Sequence, residues 1–294
     1  MKELRGRNAL ITGASRGIGV HIARALAGAG MNIALVARSG DAIEQLAREL
    51  SSVGVRASAI VADLTDLTGL DRVLARAEAE LGPLDVLINN AGVEGVRVFS
   101  EESAAQTEQM MHLNLLVPVL LARKSVPGML LRKRGHIVNI ASLAGKTAAP
   151  YCVSYATAKG GLVAFTHSLR GELRGSGVSA SVVCPGFVSD EGMFAVSTRA
   201  TPVTVSKLVG TSTPAQVADA VVFALRRDRA EVLVNPGPVR LFQALHQLAP
   251  DMVAWLQARM GVKLMMRTLA LAASREAADG RPTPEPGQTP AHDA

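Results

Sequence analysis

The sequence predicts an α/β fold built on one parallel sheet, and three observations carry that expectation. Short apolar runs of Val, Ile, Leu and Ala alternate with Ala-rich segments of helical periodicity, the pattern of repeated strand–helix units. The first run, Asn8-Ala9-Leu10-Ile11, passes straight into a glycine-rich loop and then into a helical pattern. Of 294 residues, 48% are apolar and only 3% aromatic, which allows a sizeable aliphatic core in one large domain or two small ones.

The glycine loop is Thr12-Gly13-Ala14-Ser15-Arg16-Gly17-Ile18-Gly19, and its helix runs to about Gly30. Strand, glycine turn and helix are the context of a dinucleotide site. Glycines permit the tight turn and close backbone approach, and the pyrophosphate rests on the helix N-terminus. The second strand is Ile33-Ala34-Leu35-Val36, followed by Ala37 and Arg38. An NAD site commonly presents an acid there to the ribose 2′-hydroxyl. Here the guanidinium of Arg38, with Arg16 in the loop, suits a 2′-phosphate. The expected cofactor is therefore NADP(H).

A helix is expected from Asp41 to Val53, then a third strand from Ala57 to Val61, ending at Asp63-Leu64. Asp63 either accepts from an adenine amino group or caps the helix beginning near Thr68. The fourth strand, Asp85-Val86-Leu87-Ile88, leads into Asn89-Asn90-Ala91-Gly92, where backbone passes close to the cofactor. Ser103 to Arg132 reads as one long helix containing Asn114. Pro118 has no N–H for the Asn114 carbonyl, leaving that oxygen to hold a water. The run from His136 to Ala141 is a buried strand that ends at Ser142.

A helix from Tyr155 to about Arg174 follows, and it carries the central pair. Tyr155 and Lys159 stand four residues apart, on one helical face. A phenol titrates near 10, and an adjacent ammonium is expected to lower that value and let Tyr155 exchange protons with an alcohol or ketone oxygen. Ser142, at a strand's carboxyl end, is placed to hold that oxygen. Val178 to Cys184 is the next strand, and Pro185-Gly186-Phe187-Val188 turns the chain across the site. Ser189 to Ser212 lacks periodicity and is expected to be a lid. A helix begins at Thr213-Pro214 and runs to about Arg226, and Val232 to Val234 is the last strand.

Composition excludes other classes. Cys152 and Cys184 have no metal spacing, the six histidines form no metal motif, and the cysteines suit a reducing cytoplasm. No metal is expected. The net charge of +6 mildly favours phosphates or anionic surfaces, and no nucleic-acid motif accompanies it. The first residues open no signal peptide, and no apolar run reaches about 18 residues. Beyond Asn235-Pro236-Gly237, apolar residues recur at helical spacing beside the lone Trp255. Between Arg240 and Arg275, four Arg and one Lys face one acid, a net of +4. This extension, residues 238–275, is expected to be helical and to dock near the substrate entrance in preference to a membrane. Residues 276–294 are expected to be disordered.

Together these residues resemble the short-chain dehydrogenase/reductase family in its one-domain form, over roughly residues 6 to 237. Thr12 to Gly19 matches the cofactor loop, Asp63 the adenine contact, and Asn89 to Gly92 the strand-four motif. Asn114, Ser142, Tyr155 and Lys159 match the catalytic tetrad. The resemblance implies a Rossmann-like, doubly wound, seven-stranded parallel sheet in three α/β/α layers. It implies that Lys159 grips the nicotinamide ribose, that Val188 contacts the carboxamide, and that dimers or tetramers pack through the helix bearing Tyr155. The expected cofactor set, with Arg38 read from its charge, is Gly13, Ser15, Arg16, Gly17, Ile18, Gly19, Arg38, Asp63, Leu64, Asn90, Ala91, Gly92, Tyr155, Lys159, Pro185, Gly186 and Val188. Asp190 stands where the family often has threonine; either Ser189 substitutes or Asp190 points outward.

The expected activity is reduction of a ketone, or oxidation of a secondary alcohol, on a hydrophobic substrate. The alternative is an NADP(H)-binding sensor or scaffold without turnover. A related epimerase or dehydratase is disfavoured by the glycine spacing and the missing sugar-nucleotide domain.

Overall fold

The computed structural model describes residues 2–147, 149–189, 210–259 and 261–278. Seven strands form one sheet: β1 (Asn8–Thr12), β2 (Asn32–Ala37), β3 (Ala57–Val61), β4 (Val86–Asn89), β5 (Gly135–Ile140), β6 (Val178–Pro185) and β7 (Glu231–Val234). Every pairing is parallel, in the order β3-β2-β1-β4-β5-β6-β7. The order reverses between β1 and β4, which opens a crevice at their carboxyl ends.

Strand side chains alternate between two helical layers. Ala9 and Ile11 of β1 join Ile22 and Leu26 of α1 (Ile18–Gly28), Leu46 and Leu50 of α2 (Gly40–Ser52), and Val217 and Val221 of α8 (Pro214–Arg227). Leu10 points the other way, among Leu70 and Val73 of α3 (Leu70–Leu81) and Leu121 of α5 (Val117–Leu131). Both faces are covered, so the strands read as unbroken apolar runs.

Capping boxes start two helices. Ser103 and Gln106 exchange bonds at α4 (Ala104–Met111), and Thr213 and Gln216 do so at α8. The helix near Thr68 is capped by Asp66, whose carboxylate accepts from the Thr68 N–H at 3.0 Å. Asp63 instead accepts from the N–H and hydroxyl of Thr65. The long helix is interrupted: His112–Leu116 widens into a π turn between α4 and α5, with the Val117 N–H bonded to the His112 carbonyl. Pro118 supplies no N–H at that point and crowds the turn before it. No unbroken apolar run in this stretch reaches 18 residues, although Ala104–Leu131 as a whole has the length and mean hydropathy of a membrane span. Val117, Leu121, Ala122 and Met129 nonetheless spend that apolar surface in the core.

A short helix, α6 (Ala144–Thr147), precedes α7 (Val153–Glu172), and three helices close the described chain: α9 (Val239–Leu248), α10 (Pro250–Arg259) and α11 (Val262–Ala278). The ends of the segment expected to be a lid are paired, with the Ser189 N–H bonded to the Ser212 carbonyl and the Ser212 N–H to the Phe187 carbonyl. Its interior, including Asp190, lies outside the described residues, as does most of the expected disordered tail.

Candidate active site

The expected site residues gather at the carboxyl edge of the sheet, where β1, β4, β5 and β6 end. Gly13 adopts φ +67°, and a Cβ there would stand 2.8 Å from the Ala91 Cα. At Gly19 a Cβ would meet the Gly13 carbonyl oxygen. The loop is thus pressed against the strand-four motif, and Gly17 leads into α1 at its N-terminus. Ser15, Gly17 and Ile18 are half-buried along it and Arg16 is exposed. Thr12, outside the expected set, organises this junction. Its hydroxyl accepts from the N–H groups of Asn90 and Ala91, both at 3.0 Å, and donates to the Ile88 carbonyl. The Asn90 side chain donates to the Thr12 and Gly13 carbonyls. Asn90 therefore shapes the loop with its side chain.

Arg38 is exposed just beyond β2, and its charge reaches Asp63. Hydrogen bonds from the Thr65 N–H and hydroxyl, with help from Arg38, hold the Asp63 carboxyl below its usual range. Leu64 is buried in the core beneath. Pro185 ends β6, Gly186 follows it with its N–H bonded to the Val234 carbonyl, and Val188 is buried.

Asn114, Ser142, Tyr155 and Lys159 converge beside Gly92. A Cβ on Gly92 would stand 2.5 Å from Asn114 Oδ1 and 3.5 Å from Lys159 Nζ. Asn114 is fully buried; its Oδ1 accepts from the Val93 N–H and its Nδ2 donates to the Val93 carbonyl. The π turn thus aims this side chain at the strand-four loop. Lys159 Nζ donates to the Ile140 carbonyl at 2.9 Å and lies 5.8 Å from the Tyr155 ring centroid. Ser142 hydrogen-bonds to the Tyr155 phenol and accepts from the Ala144 N–H.

The titration of this pair departs from the sequence reading. Burial pushes the Tyr155 phenol well above its ordinary value, the Glu94 charge adds to that, and the Ser142 hydrogen bond only partly opposes it. Burial also lowers Lys159 to about 8. The ammonium bonds to the Ile140 carbonyl beside the ring, so desolvation outweighs its attraction for a phenolate. Burial therefore favours the neutral phenol over the phenolate.

A buried polar chain seats α7 on the sheet. Asn89 Nδ2 donates to Asn139 Oδ1 at 2.8 Å, Asn139 Nδ2 donates to the Thr166 hydroxyl at 2.8 Å, and Thr166 donates to the Leu162 carbonyl. Asn89 also donates to the Pro118 carbonyl, so β4, β5, α5 and α7 share one network. Asn139 and Thr166 escaped the sequence reading because only their tertiary partners mark them.

The mouth beside Tyr155 is apolar. Val96, Cys152, Met266, Leu269 and Ala270 form one buried cluster, with Tyr155, Phe187 and Met265 packed against it. Three of those residues, Met266, Leu269 and Ala270, belong to α11, so the C-terminal extension walls the site. Cys152 is one of two free buried thiols, and burial raises it to about 12. Among the described residues no cluster of metal-ligating side chains is present.

Residues 7–200 match the family described as short chain dehydrogenase. A ketoacyl reductase, HetN, of Nostoc sp. is 42% identical over 258 residues, covering 86% of this chain and 88% of that protein. A metagenomic short-chain oxidoreductase solved with NADP superposes with a TM-score of 0.67 at 33% identity, covering 80% of this chain and 98% of that one. A variant actinorhodin polyketide ketoreductase solved with NADPH superposes with a TM-score of 0.70 at 28% identity, covering 79% and 95%.

Proposed function

The chain belongs to the short-chain dehydrogenase/reductase family, and from that premise we propose an NADP(H)-dependent ketone reductase acting on a hydrophobic substrate. The observation that carries the reading is the convergence of Asn114, Ser142, Tyr155 and Lys159 beside Gly92 at the sheet's switch point. Three features fit the cofactor. Gly13 and Gly19 let the loop close tightly on Ala91 and on its own backbone, where a Cβ would clash, the compact turn that a dinucleotide loop needs. The α1 N-terminus suits a pyrophosphate. Arg38 stands where a 2′-phosphate would need a cation. Two solved relatives hold NADP or NADPH. When bound, the nicotinamide supplies the hydride for reduction or takes it up in the reverse direction.

The chain's own residues do the rest. Ser142 and Tyr155 hold the carbonyl oxygen between their hydroxyls. Tyr155, kept protonated by its surroundings, donates to the oxygen as negative charge develops there. Lys159, lowered to about 8, releases a proton near neutrality far more readily than an ordinary lysine and serves to re-protonate the site. Asn114 fixes the strand-four loop against that lysine. The apolar wall of Val96, Met266 and Leu269 favours an aliphatic or polycyclic ketone, and the ketoacyl reductase relative favours a 3-oxoacyl chain. Self-association into dimers or tetramers through α7 completes the reading; Val153, in the first turn of α7, is an exposed large apolar side chain.

The test is a ketone panel with NADPH, run on the wild type and on Tyr155→Phe. Removing the donor should lower kcat by about two to four orders of magnitude while NADPH binding persists. Undiminished turnover would remove Tyr155 from the mechanism. NADPH binding without turnover of any ketone would favour a sensor.

A further inference from the structure

Helix α11 has two contrasting faces. Met266, Leu269 and Ala270 are buried against the cluster around Tyr155. The exposed row, at the i, i+4, i+8 and i+12 positions, holds Lys263, Arg267, Leu271 and Arg275, and Leu264 is exposed as well. Leu264 is 68% exposed, which no internal packing explains. The neighbouring helices repeat the combination. α9 exposes Arg240, Leu241 and Leu248, and α10 exposes Met252, Trp255 and Arg259. Trp255 is 60% exposed, and the Arg259 guanidinium lies 5.2 Å from its ring centroid. Among the described residues, six of the fourteen exposed large apolar side chains fall within α9 to α11. Such a concentration within three consecutive helices exceeds the scattered single exposures of an ordinary solvated surface.

Charge decides what covers it. Across α9 to α11 five cations (Arg240, Arg259, Lys263, Arg267 and Arg275) stand against two acids, Asp251 and Glu276, and none of the five forms a salt bridge among the described residues. A second copy of this surface would oppose like charge with like. An anionic bilayer instead satisfies both halves of the pattern. Leu, Met and Trp enter the acyl boundary, while Arg and Lys meet the headgroups. We propose that helices α9 to α11 dock the protein on an anionic phospholipid surface. α11 then lies between the lipid and the catalytic tyrosine, so a hydrophobic substrate partitioned in the bilayer meets the wall of the site directly. This consequence rests on the proposed activity; the docking itself does not.

The test is flotation of the full chain with vesicles of phosphatidylcholine alone or mixed with phosphatidylglycerol. The protein should float with the anionic vesicles, remain in solution with the neutral ones, and be released by about 0.5 M salt, where the Debye length is only a few ångströms. Lys263→Gln combined with Arg267→Gln should weaken partitioning roughly 25-fold, at about five-fold per cation. Leu264→Ser combined with Trp255→Ser should weaken it further at unchanged charge. These side chains are exposed, so urea unfolding should show the fold intact. Tyr155→Phe should float like the wild type, which keeps this result separate from the activity. Three results would overturn the proposal. One is no flotation with anionic vesicles. Another is equal binding to soluble polyglutamate that ignores Leu264 and Trp255, which assigns the surface to an acidic protein. The last is an oligomer dissolved by the same substitutions, which assigns it to a second copy.

Discussion

Replacing Lys159 with methionine should stabilise the fold while removing activity. The ammonium is buried, 4% exposed, and its titration falls from 10.5 to about 8. At about 1.4 kcal/mol per pH unit, holding the charged form there costs roughly 3 kcal/mol. Its hydrogen bond to the Ile140 carbonyl returns about 1 to 2 kcal/mol. Methionine has similar length, no charge and an adaptable thioether. The net gain at pH 7 is therefore about 1 to 2 kcal/mol. The sign follows from proton uptake. Between pH 8 and 10.5 the unfolded chain holds this proton and the folded chain does not, so wild-type stability rises with pH across that window. The variant lacks that rise, and its advantage should close as pH approaches 10.5. Urea unfolding at pH 7, 8.5 and 10, with NADPH-dependent turnover measured alongside, reads both effects. A variant less stable than wild type at pH 7, or an advantage that ignores pH, would refute the reasoning.

Two other outcomes follow from single side chains. Arg38→Asp should raise the KM for NADPH at least ten-fold, the size of one charge-assisted hydrogen bond, and improve use of NADH; an unchanged ratio of the two KM values would dismiss Arg38 from cofactor recognition. His136 is buried against the Ser181 hydroxyl at 2.7 Å, and burial lowers it from 6.5 to about 3. Below pH 6.5 the unfolded chain gains a proton that the folded chain refuses, so stability should fall by about 1.4 kcal/mol per pH unit down to about pH 3. His136→Gln should flatten that part of the urea-unfolding profile between pH 7 and 4.5, and identical slopes would contradict it.

Much of the site was legible because its signals are local. Strand runs such as Ala57–Val61 need only their own side chains. The glycines at 13, 17 and 19 announce a turn that other residues cannot make. The spacing of Tyr155 and Lys159 sets their common face whatever packs around them. The π turn at His112–Leu116 was half legible: Pro118 pointed to a disturbed ladder, while the aim of the Asn114 side chain depended on Val93, 21 residues away. Asn139 and Thr166 carried no sign in the chain of the network they share with Asn89.

Sequence alone therefore determined the strand–helix alternation, the glycine loop and the common helical face of Tyr155 and Lys159, because each depends on residue type and short-range spacing. Tertiary structure decided the direction in which burial shifts Tyr155 and Lys159 and the wall that α11 builds beside them. Both depend on which surfaces lose water, and desolvation is set by segments that meet only once the chain has folded.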